Sequence, residues 1–378
     1  MSHSVTNQSM FDGRVALQDL HMPLYRRPIY ELLHQRISGG LGVFTGVSDN
    51  MLGVVGSDGL DVADHRIVRN RHLTRGKFET VWQPGLTRWL EEFQPDAMIA
   101  GANPRTLSTN LGRRWAQRRR IPVLGWGLGT LMLAQGGEGL RNFGRRRFYR
   151  RFDGLIAYSS VAKDQYAAYG FPRERIYVVH NAATPRPTHA PPERPDAFQE
   201  RPVILFVGRL YEGKRLELLF EAVSRMDGGV RPRIEIVGDG PGTEVIRQQA
   251  DSMCPGDVTF RGSLYGDELA DAFKQADLFV LPGLGGLAIQ EAMSWGLPVI
   301  SAEGDGTQFD LVREENGWLM TPGDVTSLQE CLEDAFSDCA RLRRFGLEGY
   351  RIVDEELNLE RMIDEFVIAL TSIRAVTS

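Results

Sequence analysis

Short apolar runs alternate with helical stretches twice over in this chain, and one proline-dense segment separates the two series. Before the break, Arg14–Leu20, Leu41–Phe44, Ala97–Ala100, Pro122–Trp126 and Gly154–Tyr158 read as strands, with helices at Tyr30–Ile37, Leu86–Phe93 and Leu107–Arg119. Such alternation predicts parallel sheet with right-handed crossovers. The segment Thr184–Pro202 holds Pro185, Pro187, Pro191, Pro192, Pro195 and Pro202. No helix or central strand continues through that density, so it predicts a linker between domains at 1–183 and 203–349. The pattern then restarts. Pro202–Gly208, Arg233–Val237, Val258–Phe260, Leu278–Leu281, Pro298–Ser301 and Gly317–Met320 read as strands. Helices intervene at Leu216–Ser224, Thr243–Ala250, Leu269–Gln275, Ala288–Trp295 and Ser327–Phe336. Two doubly wound α/β halves follow, with a ligand cleft expected between them at the carboxyl ends of their strands.

Composition narrows the function classes. Hydrophobic residues make up 42% and charged residues 25% of the 378, the balance of a soluble globular chain. No run reaches the ~18–20 apolar residues of a spanning helix. The opening MSHSVTNQSMFDGR lacks the basic-then-apolar order of a secretion signal. Cys254, Cys331 and Cys339 are too widely spaced for a disulfide framework or a metal cluster, which fits a reducing cytoplasm. Charge is uneven: residues 1–152 hold 22 Arg and Lys against 12 Asp and Glu, the remainder 22 against 37. The basic front half points to an anionic partner, either a membrane or a phosphate-bearing ligand.

Chemistry concentrates in three segments of the second half. In Val203–Val223 a buried strand ends at Gly208, where the missing side chain permits a sharp turn, and Arg209 and Lys214 lie in the loop beyond. Two cations there suit a diphosphate, Arg by paired donors and Lys as a point charge. They would also stabilise charge on a departing phosphate. An ordinary solvated turn has the same pattern. In Val237–Ala250, Gly238, Gly240 and Gly242 lie between strand and helix, where free N–H groups meet an anion or the glycines simply turn the chain. In Leu278–Gly306 the loop Gly283–Leu287 leads into a helix carrying Glu291. Loop amides and a helix amino terminus favour a phosphate or sugar oxygen. Glu291 either takes a ribose diol with both carboxylate oxygens or is an exposed helix acid.

In this order and spacing the three segments resemble the carboxyl-terminal half of glycosyltransferase family 4 over about residues 200–325. A weaker similarity crosses 153–183 in FDGLIAYSSVAKDQYAAYGFPRERIYVVHNA. The resemblance implies the GT-B fold: two Rossmann-like domains with an interdomain cleft and a terminal helix, here 350–378, crossing back to the first domain. It implies transfer of a sugar, with retention, from a nucleotide-diphosphate sugar to a hydroxyl acceptor in glycolipid or polysaccharide assembly. The nucleotide sugar is then the donor substrate, and no cofactor or metal is implied. Carried over by position, Arg209 and Lys214 match the basic pair on the donor diphosphate. Glu291 matches the ribose-binding Glu, and the amides of Gly286 and Leu287 match the phosphate loop. Gly262 and Leu264 match the stretch that brackets the nucleobase, with Leu264 packed on the base. Gly208 and Gly238 complete the donor-binding set.

Three departures accompany the resemblance. Gly283 stands where the family has the first Glu of E-x7-E, which leaves the sugar open. Gly125–Gly129 lacks the family's His–Asp, and His21–Arg27 lacks its glycine pair. A non-catalytic nucleotide-sugar-binding partner subunit therefore stays open, as does another GT-B enzyme such as a nucleotide-sugar epimerase. His21, just past the first strand, is the catalytic candidate of the front half, binding acceptor or donor. Arg26 neutralises an acceptor phosphate or begins the next helix. Asn103 and Arg105 are the remaining acceptor-side candidates. The run Arg141–Arg151 holds six arginines, with Phe143, Phe148 and Tyr149 interleaved. An anionic membrane surface holding all three rings, a solvated helix face and nucleic acid compete for it. The family resemblance tips the balance from a solvated helix face toward the membrane, and the expected location is the cytoplasm, with a peripheral contact at the inner face of the cell membrane as the further expectation.

Overall fold

The computed structural model describes residues 10–47, 59–74, 79–129, 140–198, 200–226 and 230–377. The chain divides into two compact units: one runs to Ala183 and takes back the segment from Leu359, and the other is Thr184–Asn358.

In the first unit the strands are β1 (Val15–Gln18), β2 (Leu41–Val47), β3 (Asp64–Arg69), β4 (Arg71–Thr74), β5 (Thr80–Trp82), β6 (Ala97–Gly101), β7 (Val123–Gly127), β8 (Gly154–Ala157) and β9 (Ile176–Val178). Seven of them form one sheet in the order β3-β2-β1-β6-β7-β8-β9, and β4 pairs with β5 in a separate antiparallel hairpin. The helices are α1 (Arg27–Gln35), α2 (Leu86–Phe93), α3 (Leu107–Arg118), α4 (Leu140–Tyr149) and α5 (Ser160–Ala168). β1 is buried along its whole length, as a parallel strand covered on both faces must be. Its last residue, Gln18, is satisfied by donating to Gln83 Oε1 at 2.5 Å and accepting from Thr109 Oγ1 at 2.9 Å. The sequence reading lacked β3 and the hairpin. β3 reads DHRIVR, pairs only with β2 and is mostly solvated, so no apolar run marks it.

α4 turns Phe148 and Tyr149 into the core, where both rings meet edge-on at 5.4 Å and Phe148 meets Phe152 at 5.3 Å. The expectation that Phe143, Phe148 and Tyr149 all reach a bilayer is thereby corrected: only Phe143 is exposed. The Arg141 side chain lies outside the described residues.

The second unit forms a six-stranded parallel sheet from β10 (Val203–Val207), β11 (Arg233–Val237), β12 (Val258–Gly262), β13 (Leu278–Leu281), β14 (Val299–Ala302) and β15 (Gly317–Met320), in the order β12-β11-β10-β13-β14-β15. Helices α6 (Leu216–Ser224), α7 (Thr243–Met253), α8 (Gly266–Gln275), α9 (Leu287–Ser294), α10 (Gln308–Leu311), α11 (Val325–Ser337) and α12 (Cys339–Glu355) complete it. In both sheets the order reverses beside the first strand, between β1 and β6 and between β10 and β13. Loops leaving the carboxyl ends of strands at such a point frame a crevice.

The proline-rich segment is strapped to the second unit. Arg194 donates to the carbonyls of Phe273, Ala276, Trp295 and Gly296 at 2.9–3.1 Å, and His189 stacks on Trp295 at 3.9 Å. Burial, with the Arg343 charge, lowers the Arg194 guanidinium to about 10.

The returning helix, α13 (Leu359–Thr377), begins later than the expected 350. Tyr350 belongs to α12, whose carbonyl end is closed by Asn358 Nδ2 donating to Val353 O and Asp354 O at 2.8 Å each. α13 buries Met362, Ile363, Phe366, Leu370 and Ile373 in the core of the first unit, with Phe366 edge-on to Trp126 at 5.2 Å. Phe366→Ala is expected to lose about 3–5 kcal/mol in urea denaturation, whereas a loss below about 1 kcal/mol would mean that α13 does not close this core.

Candidate functional site

The carboxyl edge of the second sheet is built by backbone packed against backbone. Beyond β10 the chain turns at Gly208, whose N–H donates to Val237 O at 3.0 Å. A Cβ on Gly238, at φ 136°, would lie 1.9 Å from Gly208 O, so only glycine lets these loops meet. The amides of this glycine loop are spent internally. Gly238 N–H donates to Gly262 O at 2.7 Å and Gly242 N–H to Leu210 O at 3.0 Å. Gly240 N–H donates to Asp239 Oδ1 at 2.7 Å and Thr243 Oγ1 at 3.0 Å. Of the two readings open for these three glycines, free N–H groups or a plain turn, the structure shows the second: they hold loops together. Gly208, Gly238 and Gly262 are brought side by side at the ends of β10, β11 and β12. Leu264 beyond them packs half-buried on the core.

Lys214 crosses to the loop after β13. Its ammonium donates to Leu284 O at 2.6 Å, and Leu284 N–H returns to Gly213 O at 2.9 Å. A Cβ on Gly283 would lie 2.3 Å from Gly213 O and 2.6 Å from Lys214 C, so position 283 is filled by main chain. Gln308, which the sequence reading missed, braces the loop from α10: it is fully buried and its Nε2 donates to Gly285 O at 2.5 Å. No motif around Gln308 marked it; only its burial and its bond to the glycine loop reveal it.

Charge at this edge is uncompensated. Burial depresses the Lys214 pKa, and among the described residues no carboxylate pairs with it. Arg209 is exposed, and no acid among the described residues pairs with it. The N–H groups of Gly286, Leu287 and Ala288, at the start of α9, find no acceptor among the described residues. Glu291, in the second turn of α9, is half-buried; burial raises its pKa, and its carboxylate has no hydrogen-bond partner among the described residues. An ammonium held on the glycine loop, open amides at the start of the helix that follows and an unpaired carboxylate one turn along it suit a polar anionic ligand that also carries hydroxyls.

In the first unit His21 follows β1 at the reversal point. Asn70 Nδ2 donates to Leu20 O at 3.0 Å and faces His21 Nδ1 at 3.3 Å. Burial holds the imidazole below its ordinary pKa, against the pull of Asp19, so the ring is neutral at neutral pH. Arg26 is committed elsewhere. It is ion-paired with Asp19, donates to Tyr158 OH at 2.7 Å and lies over the Trp126 ring at 4.7 Å. Burial opposes its charge, but Asp19 together with Tyr158, Tyr30 and Tyr25 raises its pKa and holds it protonated. Tyr30 OH donates to the same Asp19 carboxylate at 2.8 Å. Asn103 and Arg105 are both exposed after β6, where Asn103 Oδ1 accepts from Arg105 N–H at 3.0 Å. Among the described residues no group of His, Cys, Asp and Glu is arranged to hold a metal.

Two family models match. One described as glycosyl transferases group 1 covers residues 201–338, and one described as a glycosyl transferase 4-like domain covers residues 43–182. The chain belongs to the family 4-like glycosyltransferases of GT-B fold. Over 146 residues it is 39% identical to a sulfoquinovosyl transferase of Arabidopsis thaliana, an alignment covering 36% of this chain and 27% of that one. Over 220 residues it is 32% identical to a GDP-mannose-dependent alpha-mannosyltransferase of Mycobacterium tuberculosis, covering 55% of this chain and 54% of that one. The chain thus spans about half or less of the length of these two relatives. The solved lipopolysaccharide outer core galactosyltransferase WaaB matches 95% of this chain and 99% of its own at TM-score 0.68 and 19% identity. Anabaena HepE in complex with UDP matches with the same coverage and TM-score at 16% identity. These two likenesses show the fold.

The packing at position 283 is testable. Gly283→Ala is expected to cost about 1–3 kcal/mol in chemical denaturation, and Gly283→Glu at least as much, because the Cβ meets main chain and not a movable side chain. Wild-type stability in both variants would contradict the loop packing described.

Proposed function

We propose that this protein transfers a sugar from a nucleoside-diphosphate sugar to a hydroxyl of a glycan or glycolipid acceptor, with retained anomeric configuration, in glycolipid or polysaccharide assembly. The observation that carries the reading is Lys214: a half-buried ammonium, without a counterion among the described residues, held on the glycine loop that opens α9. The names of relatives and structural neighbours support it, since one is a GDP-mannose-dependent transferase and another is described with UDP.

In this mechanism Lys214, Arg209 and the amides of Gly286 and Leu287 bind the donor diphosphate. As the bond from the anomeric carbon to the diphosphate oxygen breaks, its electron pair stays on that oxygen, and these donors stabilise the charge. The acceptor hydroxyl attacks the same carbon, and its proton passes to the departing phosphate. Glu291 accepts from both ribose hydroxyls, and Gly262 and Leu264 flank the base. His21, neutral at working pH, orients a sugar or acceptor hydroxyl as a hydrogen-bond partner. No cofactor enters the scheme. The reaction takes place in the cytoplasm.

A panel of nucleotide sugars, with products read by mass spectrometry, tests the reading. Arg209→Ala and Lys214→Ala are each expected to lower turnover by about 10²–10³-fold with the fold intact, and wild-type turnover in both would overturn the assignment. The pH dependence has a definite sign. Glu291 binds ribose as a carboxylate, and its raised pKa makes donor affinity fall on the acid side earlier than an exposed glutamate would. The depressed Lys214 pKa brings the alkaline loss of charge forward. Glu291→Gln is expected to flatten the acid limb at lower overall affinity, as measured by calorimetry.

A further inference from the structure

The first unit carries a second concentration of unpaired charge that the transfer reaction does not use. Along α4 and just past its end, Phe143, Arg146, Arg147, Arg150 and Arg151 follow the spacing that places residues on one helical face. These five line one surface cavity of about 420 Å³. The opposite face supplies Phe148 and Tyr149 to the core, so the orientation of the arginines outward is fixed by packing. Among the described residues no carboxylate pairs with any of the four arginines. The basic field continues onto α3, where Arg114 and Arg118 are exposed and likewise unpaired among the described residues. Gln117 ties the two helices together by accepting from Arg113 Nη1 at 2.7 Å and donating to Arg151 O at 2.8 Å. Burial first, then the charges of Arg151 and Arg114, press the Arg113 pKa down, so like charges repel here in the free protein. Phe143, 66% exposed, stands at the amino-terminal end of the stripe.

From this arrangement we infer that the outer face of α4 docks the protein on an anionic lipid bilayer, the arginines taking lipid phosphates and Phe143 entering the boundary between head groups and acyl chains. The face is a stripe of cations along a helix about 15 Å long, a span that several lipid head groups can cover. Gripping a nucleic acid strand calls for a groove along the backbone and a series of stacking rings, and this face offers one ring. The inference does not rest on the donor site.

Sedimentation with vesicles separates the outcomes. The full chain is expected to bind vesicles of phosphatidylglycerol and phosphatidylcholine, to leave pure phosphatidylcholine vesicles unbound, and to release as salt is raised. Each arginine removed from the face is expected to weaken partition about fivefold, so the double variant Arg146→Gln with Arg150→Gln loses about 30-fold. Phe143→Ala is expected to weaken binding severalfold with unchanged salt dependence. Because these side chains face solvent, thermal unfolding of all variants is expected to match the wild type, which keeps a loss of binding distinct from misfolding. Equal binding to both vesicle types, binding untouched by the arginine changes, or retention by a single-stranded oligonucleotide in preference to the anionic vesicles would each overturn the inference. The readout is lipid binding alone, so its failure leaves the transferase reading standing.

Discussion

No side chain fits between the loops at the carboxyl edge of the second sheet, and the candidate site depends on that. Gly238 meets Gly208 and Gly283 meets the Gly213–Lys214 main chain, each closer than a Cβ permits. The second contact lets Lys214 donate to Leu284 O while Leu284 N–H donates to Gly213 O, joining the loops after β10 and β13. The two strands are neighbours at the point where the sheet order reverses, so a lysine from one crossover is held on the glycine loop of the other. Gln308 supports that loop from behind.

The electrostatics follow from the packing. Desolvation disfavours both the Lys214 ammonium and the Glu291 carboxylate, and no opposite charge among the described residues relieves either. Groups left in that condition are stabilised by a ligand that supplies an anion to one and hydroxyl donors to the other. The first unit manages charge differently. Its buried guanidinium, Arg26, is matched by Asp19, two tyrosines and a tryptophan face, a closed arrangement that shapes the loop carrying His21. Arg26 is thus a structural element of that loop, and the exposed Arg105 is the cation that remains open there.

How much was legible in the sequence varied with how strongly local pattern decides structure. β10, β13 and β14 were readable because strands buried on both faces are written as continuous apolar runs, and edge strand β12 was readable from its alternating Val258 and Phe260. β3 was not, because an edge strand that is half solvated reads as polar chain. Glycine spacing located the loops at Gly208, Gly238 and Gly283 but not their purpose. Whether an amide is open or spent depends on the neighbouring loop, and the three amides at Gly238–Gly242 are spent while those at Gly286–Ala288 are open. Gln308 was invisible because its role is a tertiary contact with no motif around it. In α4 the arginine run was evident, whereas the division between Phe143 outside and Phe148 and Tyr149 inside awaited the helix register.

The central claim is that the open amides of α9 and the Lys214 loop together receive a nucleoside diphosphate. Hydrogen exchange, followed by mass spectrometry with UDP or GDP added, tests it most directly. The account predicts slowed exchange at Gly208–Lys214 and Leu284–Glu291, where the diphosphate binds, and at Gly262–Leu264, which flanks the base. Binding that protects other segments and leaves these unchanged would contradict it.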